Sequence, residues 1–413
     1  MKNKKLALLI ILLLLFVGCF NSNEEVKENN KEKENEKKEE VIVDEIDEIE
    51  KKVNETLAQM SLDEKIGQMI MVFYRASEMD NTLKSALEDV QPGGFILFSE
   101  NFTTYENTLK LVKEIKSYVK IPMFISIDEE GGNVQRLTSL QGHSVTDIPY
   151  MYNLGLKNDE ELSYNVGKVI AEELKVFGVN MDFAPVIDVY SNPNNTVIGK
   201  RSFGTTAEVV SKLGISLAKG LEDNGVIPVY KHFPGHGNTA VDSHEALPIV
   251  DKTKEALLDL DLIPFINAIE NDASVIMIGH LAVPSITGDN TPASLSKVLI
   301  TDFLKNELGF NGLVITDALE MKALTNYYSE NEICAKAVEA GVDILLMPSS
   351  SRTCLKSVQD GIKNGTISEE RIDESVKKIL RLKYEKIVDD YDNYLPVDTL
   401  NSKEHQEIVN KAK

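Results

Sequence analysis

Asp242 and His244 stand two positions apart at the end of a segment that opens Lys231-His232-Phe233-Pro234-Gly235-His236-Gly237. In an extended chain, residues two apart project to the same side. A carboxylate placed there fixes the tautomer of the imidazole and raises its basicity. Such a pair can give a proton to a leaving oxygen and later take one from water. An incidental surface Asp-x-His is the plain alternative. A metal reading also has to be weighed, because three histidines and an aspartate can bind zinc. His232 and His236, however, are separated by Pro234-Gly235 and cannot share a helix face as the ligands of H-E-x-x-H do. The acid–base reading is therefore preferred. The second chemical group is Asp317, which closes the run Leu313-Val314-Ile315-Thr316. A carboxylate in that position can attack an anomeric carbon and form a covalent intermediate. It could equally cap a helix. Glu320, three residues on, is expected to cap the helix that follows.

Eight short apolar runs position these groups: Met69–Tyr74, Gly94–Phe98, Met123–Asp128, Asn180–Ile187, Ile227–His232, Ser274–Gly279, Leu313–Thr316 and Asp343–Met347. Between them lie segments such as Glu160–Phe177, Ala207–Asn224 and Lys254–Ile269, whose apolar residues recur three and four apart, as on a helix. Uniformly apolar strands suit a parallel sheet covered on both faces. Eight strand–helix alternations predict an α/β fold of the (β/α)8, TIM-type barrel class. The rival is a doubly wound open sheet, but no G-x-G-x-x-G opens the first unit. A barrel collects its chemistry at the C-terminal ends of the strands. Asp128-Glu129-Glu130-Gly131-Gly132, Asp188, Lys231-His232, His280 and Asp317 all end or follow an apolar run. A barrel interior rejects so many polar groups unless they face a mouth or find partners.

The formal charge of −22 over 413 residues argues against nucleic acid, which calls for a basic face. With no tryptophan in the chain, a small pocket is favoured over a long polysaccharide cleft. At the N-terminus, three lysines within Met1–Lys5 precede the apolar run Leu6–Val17, which Gly18-Cys19 breaks. This is the pattern of a secretory signal, and the run is short for a membrane span. Its ending, Leu15-Phe16-Val17-Gly18-Cys19, resembles a bacterial lipobox, with Phe16 where Leu is usual. The resemblance implies lipidation at Cys19. Cleavage elsewhere, or a retained anchor, is the alternative. Asn21–Glu40 is almost wholly Asn, Glu and Lys and has nothing to bury, as in a disordered spacer. The expected organisation is a signal peptide over 1–19, a tether over 20–45, a catalytic barrel over 46–395 and a tail over 396–413. Cys334 and Cys354 are expected to be small, partly buried thiols, because so few cysteines do not make a disulfide framework.

K-H-F-P-G-H-G followed by D-S-H, with I-D-E-E-G-G-N-V-Q-R-L upstream and V-I-T-D-A-L-E-M downstream, closely resembles glycoside hydrolase family 3. Within the family it is similar to the β-N-acetylglucosaminidase branch that recycles bacterial cell wall. The likeness runs from about Leu57 to about Tyr384. The resemblance implies that Asp317 is the nucleophile and that His244, supported by Asp242, is the acid/base. It implies that Asp128, Arg136, Lys231 and His232 hold the sugar's hydroxyls, with Arg201 near the N-acetyl group or a 4-hydroxyl. Asn133 stands where Arg is common and Glu129 where Gln is common, so no role is carried over to either.

A histidine acid makes sense beside an anionic nucleophile, since an imidazole avoids the like-charge cost a second carboxylate would meet. The glycine-bearing loop that carries it is expected to be the most variable part of the site and to close on substrate. The resulting expectation is an exo-acting retaining β-N-acetylhexosaminidase, exported and lipid-anchored, acting on small glycans or muropeptides. No cofactor, no metal and no nucleic-acid partner are expected, and membrane contact is expected only through the N-terminal anchor. The alternatives are a β-glucosidase or broad exo-glycosidase, a glycoside phosphorylase, a metal-dependent hydrolase and a non-catalytic sugar-binding lipoprotein. Ser402-Lys403-Glu404-His405-Gln406 resembles the lead-in to a second domain.

Overall fold

The structure is a computed structural model that describes residues 48–239, 243 and 245–413. The leader, Cys19 and the spacer lie outside the described residues, and so do Asp242 and His244. Two compact units are distinguished, Met1–Lys52 and Val53–Lys413. In the first, residues 48–52 are helical and Lys52 pairs with Glu48 one turn away at 3.5 Å.

Every apolar run carries a strand. β1 (Ile70–Phe73), β2 (Gly94–Ile96), β3 (Phe124–Ile127), β6 (Met181–Asp182), β7 (Ile227–Pro228) and β11 (Leu345–Leu346) form one parallel sheet in the order β11-β1-β2-β3-β6-β7. β8 (Tyr230–Phe233), β9 (Val275–Ile278) and β10 (Leu313–Thr316) form a second, in the order β10-β9-β8. Between β3 and β6 the short hairpin of β4 (Glu129–Gly131) and β5 (Val134–Gln135) stands apart from both. The two parallel sheets are joined at both junctions by backbone bonds. Val229 N donates to Asp182 O at 3.0 Å, and Ile187 N donates to Lys231 O at 2.8 Å. On the other side Asp343 N reaches Val314 O at 2.8 Å, and Thr316 N reaches Ile344 O at 3.1 Å. The result is a curled parallel sheet with helices on its outside.

The strands are shorter than the apolar runs, and proline explains part of the loss. Pro185 interrupts the fourth run and Pro228 the fifth; neither has an N–H to give a ladder. The segment read as one helix over Lys254–Ile269 is three pieces, Lys254–Ala256, a π-turn at Leu257–Asp261 and Ile263–Glu270. Glu160–Lys175 and Ala207–Asp223 cross closely. A Cβ on Gly167 would lie 2.2 Å from Leu217 O, and one on Gly220 would lie 2.1 Å from Tyr164 O. Only glycine admits that approach.

The cysteine expectation is corrected. Cys334, in the helix Glu330–Ala340, and Cys354, in the helix Ser351–Lys363, form a disulfide with a Cα–Cα distance of 5.4 Å. These two helices flank β11 and pack face to face, which brings two thiols 20 residues apart into bonding range. Counting cysteines addresses folds stapled throughout, not one bridge between neighbouring helices.

Residues 396–413 do not hang free of the domain. The helix Lys403–Ala412 buries Val409 and Ala412. Its His405 sits between Glu172 Oε2 at 2.8 Å and Glu173 Oε1 at 3.1 Å.

Candidate active site

At the end of β3 the chain stays extended through Asp128 into β4, so successive side chains alternate. Asp128 and Glu130 fall on one side and Glu129 on the other. Lys231, on β8, reaches both of the first pair, at 2.7 Å from Asp128 Oδ1 and 2.5 Å from Glu130 Oε1. Arg201 grips Glu130 with two parallel bonds, Nε at 2.7 Å and an Nη at 2.8 Å. Arg136 approaches Asp128 Oδ2 at 3.4 Å. Burial alone would raise the Glu130 carboxyl, but the two cations against it hold it well below the usual range. Burial would likewise discharge Lys231, yet Asp128 and Glu130 raise it, so the ammonium stays charged. Such an array of fixed donors and acceptors, charges already balanced, suits a polyhydroxylated ligand.

Behind this layer lies Asp188, which is fully buried. It accepts from His232 Nδ1 at 2.7 Å and from His236 N at 2.6 Å. Its carboxyl is depressed despite burial, chiefly by His232. With Nδ1 committed to Asp188, His232 has only Nε2 left to offer a ligand. His236 is buried and its imidazole is pushed down by desolvation; Thr239 Oγ1 lies 2.8 Å from Nδ1, and Ser243 Oγ 3.3 Å from Nε2. The Lys231–His232 and Phe233–Pro234 peptides are both cis.

Asp317 follows β10 directly. Its N–H donates to Ile278 O at 2.9 Å, and its Oδ1 accepts from Ala318 N at 2.7 Å. Burial would raise this carboxyl, but His280, His232, the Ala318 N–H and Lys231 together lower it, so it is ionised at neutral pH. His280 is wholly buried, bonded to Ala318 O at 2.9 Å and Ser294 Oγ at 2.8 Å, and braces the backbone next to Asp317. Glu320 does not cap a helix. The next helix is Lys322–Thr325, with Met321 at its N-cap, and Glu320 instead pairs with Arg75 at 3.2 Å.

Asp128, Arg136, Arg201, Lys231, His232 and Asp317 all line one cavity of about 230 Å³. Six of the residues singled out in the sequence are thus brought together. Asp242 and His244 lie outside the described residues, but Ser243, between them in sequence, also lines the cavity. Its carbonyl accepts from Ala323 N at 3.2 Å, which ties this part of the loop to the segment after Asp317.

Residues 61–382 match the family model described as the glycosyl hydrolase family 3 N terminal domain. The chain belongs to glycosyl hydrolase family 3. Among curated proteins it is similar to a beta-hexosaminidase A of Pseudoalteromonas piscicida, 32% identical over 371 residues, covering 79% of this chain and 62% of the relative. The chain thus spans less than two thirds of that relative's length. Among solved structures it is similar to a family 3 beta-N-acetylglucosaminidase from a Paenibacillus strain, with 38% identity and a TM-score of 0.81, covering 86% of this chain and 68% of that one. It is also similar to a beta-glucoside phosphorylase, BglX, with 25% identity and a TM-score of 0.81, over 88% of this chain and 66% of that one.

For a family 3 site, several contributors went unassigned in the sequence. Glu130 is the anionic hub of the cluster, and its signal was the two-residue spacing from Asp128. Asp188 and His236 stood among the polar groups near strand ends, without a role. Arg75 lines the mouth, its guanidinium carbon 4.4 Å from the centre of the Phe98 ring; nothing in the first apolar run announced it. Among the described residues no group of three or more His, Cys, Asp or Glu has a geometry that could hold a metal ion.

Proposed function

We propose that this protein is an exo-acting retaining β-N-acetylhexosaminidase that removes terminal β-linked N-acetylglucosamine from small cell-wall-derived glycans or muropeptides. One observation carries the reading: Asp317 is kept ionised at the end of a strand, facing a small cavity whose other walls are the Asp128–Glu130–Lys231–Arg136–Arg201 cluster and His232. An ionised carboxylate is equipped to be a nucleophile and not a proton donor. In the first step an Asp317 oxygen bonds to the anomeric carbon as the bond to the leaving oxygen breaks, and His244 gives that oxygen its proton. In the second, His244 takes a proton from water while the water oxygen displaces Asp317, which leaves with the electron pair of the ester bond. Asp242 orients His244 throughout. Lys231, Asp128, Arg136 and His232 bind ring hydroxyls, and Arg201 binds near the N-acetyl group or a 4-hydroxyl.

The curled sheet, tied at both junctions by backbone bonds, is read here as a (β/α)8 barrel with its mouth at Asp317. Export and lipidation at Cys19 remain part of the proposal. The Cys334–Cys354 bridge supports export, because structural disulfides persist in oxidising compartments. Likeness to a beta-glucoside phosphorylase favours one second reading, in which phosphate replaces water in the second step.

The test is release of a chromogenic aglycone from β-N-acetylglucosaminide and β-glucoside by wild type, Asp317→Ala and His244→Ala, with and without phosphate. Wild type is expected to prefer the N-acetylated substrate and both variants to be severely impaired. An inert wild type or a fully active Asp317→Ala overturns the proposal. Formation of a sugar 1-phosphate establishes the second reading.

A further inference from the structure

The backbone pins Asp317 from both directions. Its own N–H donates to Ile278 O on β9 at 2.9 Å. The peptide link between Ala318 and Leu319 is gripped at both polar ends. Leu319 N donates to Leu346 O on β11 at 2.9 Å. Ala318 O accepts from His280 Nε2 at 2.9 Å and from Met321 N at 3.1 Å. Between these anchors stands the N–H of Ala318, and it meets Asp317 Oδ1 at 2.7 Å. Among the described residues Asp317 Oδ2 takes no hydrogen bond, and Asp317 lines the cavity.

His280 is the side chain in this frame. A carbonyl oxygen only accepts, so the bond to Ala318 O places a proton on Nε2 in either charge state of the ring. Nδ1 faces Ser294 Oγ at 2.8 Å, and both residues are wholly buried. Bonds on both ring nitrogens, away from water, fix the plane of the imidazole. A buried histidine must find partners somewhere; here one of them is the residue directly after Asp317.

We propose that His280 is a positioning residue for the nucleophile: by holding Ala318 it keeps that residue's N–H on Asp317 Oδ1 and leaves Oδ2 as the oxygen that attacks the anomeric carbon. The inference deepens the glycosidase reading above and rests on it. In the first step Oδ2 bonds to the anomeric carbon. The leaving oxygen takes the electron pair of its own bond and a proton from His244. Oδ1 becomes the carbonyl oxygen of the ester and still accepts from Ala318 N. In the second step the electron pair of the ester bond returns to the carboxylate, and the same N–H meets the charge that develops there. Without the His280 bond the Ala318 carbonyl is held less firmly and the carboxylate plane is free to turn. A displacement of about 1 Å at an attacking atom costs about a hundredfold in rate.

The test compares His280→Leu, which keeps bulk but donates nothing, with His280→Gln, whose amide nitrogen reaches about as far as Nε2. The substrate is 2,4-dinitrophenyl β-N-acetylglucosaminide. Its leaving group departs without a proton, so kcat/KM reports the attack by Asp317 apart from any help by His244. His280→Leu is expected to lose about a hundredfold in kcat/KM, while the inhibition constant of N-acetylglucosamine stays within about threefold of wild type. His280→Gln should recover about tenfold or more of that loss. A His280→Leu enzyme as fast as wild type overturns the proposal. So does an equal loss of N-acetylglucosamine affinity, which marks general loosening of the site, and so does a folded His280→Gln as poor as His280→Leu. A second measurement needs no variant: wild type is trapped with 5-fluoro-N-acetylglucosaminyl fluoride and its crystal structure determined. The ester is expected on the carboxylate oxygen remote from Ala318 N, and an ester on the oxygen bonded to that N–H overturns the proposal. A wild type that neither releases aglycone nor takes up the label sinks the glycosidase reading, and the inference falls with it. A labelled wild type beside a fully active His280→Leu sinks the inference alone.

Discussion

Lys383, on the helix Glu369–Lys386, is about 1% exposed. Its ammonium bonds to Gln68 Oε1 at 2.7 Å and lies 5.0 Å from the centre of the Phe124 ring. Among the described residues no carboxylate pairs with it. Desolvation takes it from 10.5 down to about 7. A lysine depressed by folding binds fewer protons in the native state, so stability rises with pH between those two values. Below about 7 the penalty is full, and above 10.5 it is gone. The interval corresponds to a penalty on the order of 5 kcal/mol at its fullest. Lys383→Met removes it but leaves Gln68 Oε1 unpaired, at about 1–3 kcal/mol. The net expectation is a gain of roughly 2–4 kcal/mol at or below neutral pH. Melting curves for wild type and variant, recorded from about pH 6 to about pH 10 at constant ionic strength, read the difference directly. The variant should lead at the acid end, and the lead should shrink steadily as the medium becomes alkaline. A difference independent of pH, or a less stable variant at the acid end, refutes the argument.

Asp188→Asn leaves the volume unchanged but removes the anion that fixes His232, so kcat/KM should fall by about a hundredfold or more with little change in melting temperature. Glu130→Gln leaves the half-buried Arg201 guanidinium and the buried Lys231 ammonium beside a neutral group, with Asp128 as the remaining anion on Lys231. Urea unfolding should register a loss of about 3–5 kcal/mol, the cost of breaking a buried ion pair on one side. Replacing both Cys334 and Cys354 by Ser should lower stability by about 3 kcal/mol, as expected for a loop of this length. Intact protein should lose that much, and no more, on reduction with dithiothreitol.

The framework was legible because buried parallel strands are apolar on both faces and so print as unbroken runs. Leu313–Thr316 coincides with β10 at both ends, since Gly312 and Asp317 bracket it in sequence. Asn180–Ile187 shrank to Met181–Asp182 because Pro185 removes a donor, a local rule that the apolar pattern overrode in the reading. The cavity residues were legible by position after strands. What could not be read was partnership across long separations. Glu320 looked like a cap until Arg75, from the other end of the domain, proved to hold its carboxylate. The thiols of Cys334 and Cys354 gave no sign in sequence that two helices would face each other. Glu129 and Glu130 are chemically identical neighbours, and only the pleat decides that one carboxylate meets two cations and the other two backbone N–H groups.

β11 is among the slightest members of the sheet. It meets β1 through two residue pairs, Ile70↔Leu345 and Met71↔Leu346, and meets the β10 side through a single bridge at Ile315↔Ile344. A ladder so short has little resistance of its own to fraying. The disulfide joins the helix before this strand to the helix after it, so the strand cannot peel away alone. Helix, strand and helix must come out together or stay, which turns a thin seam of the curled sheet into a unit that opens as one block.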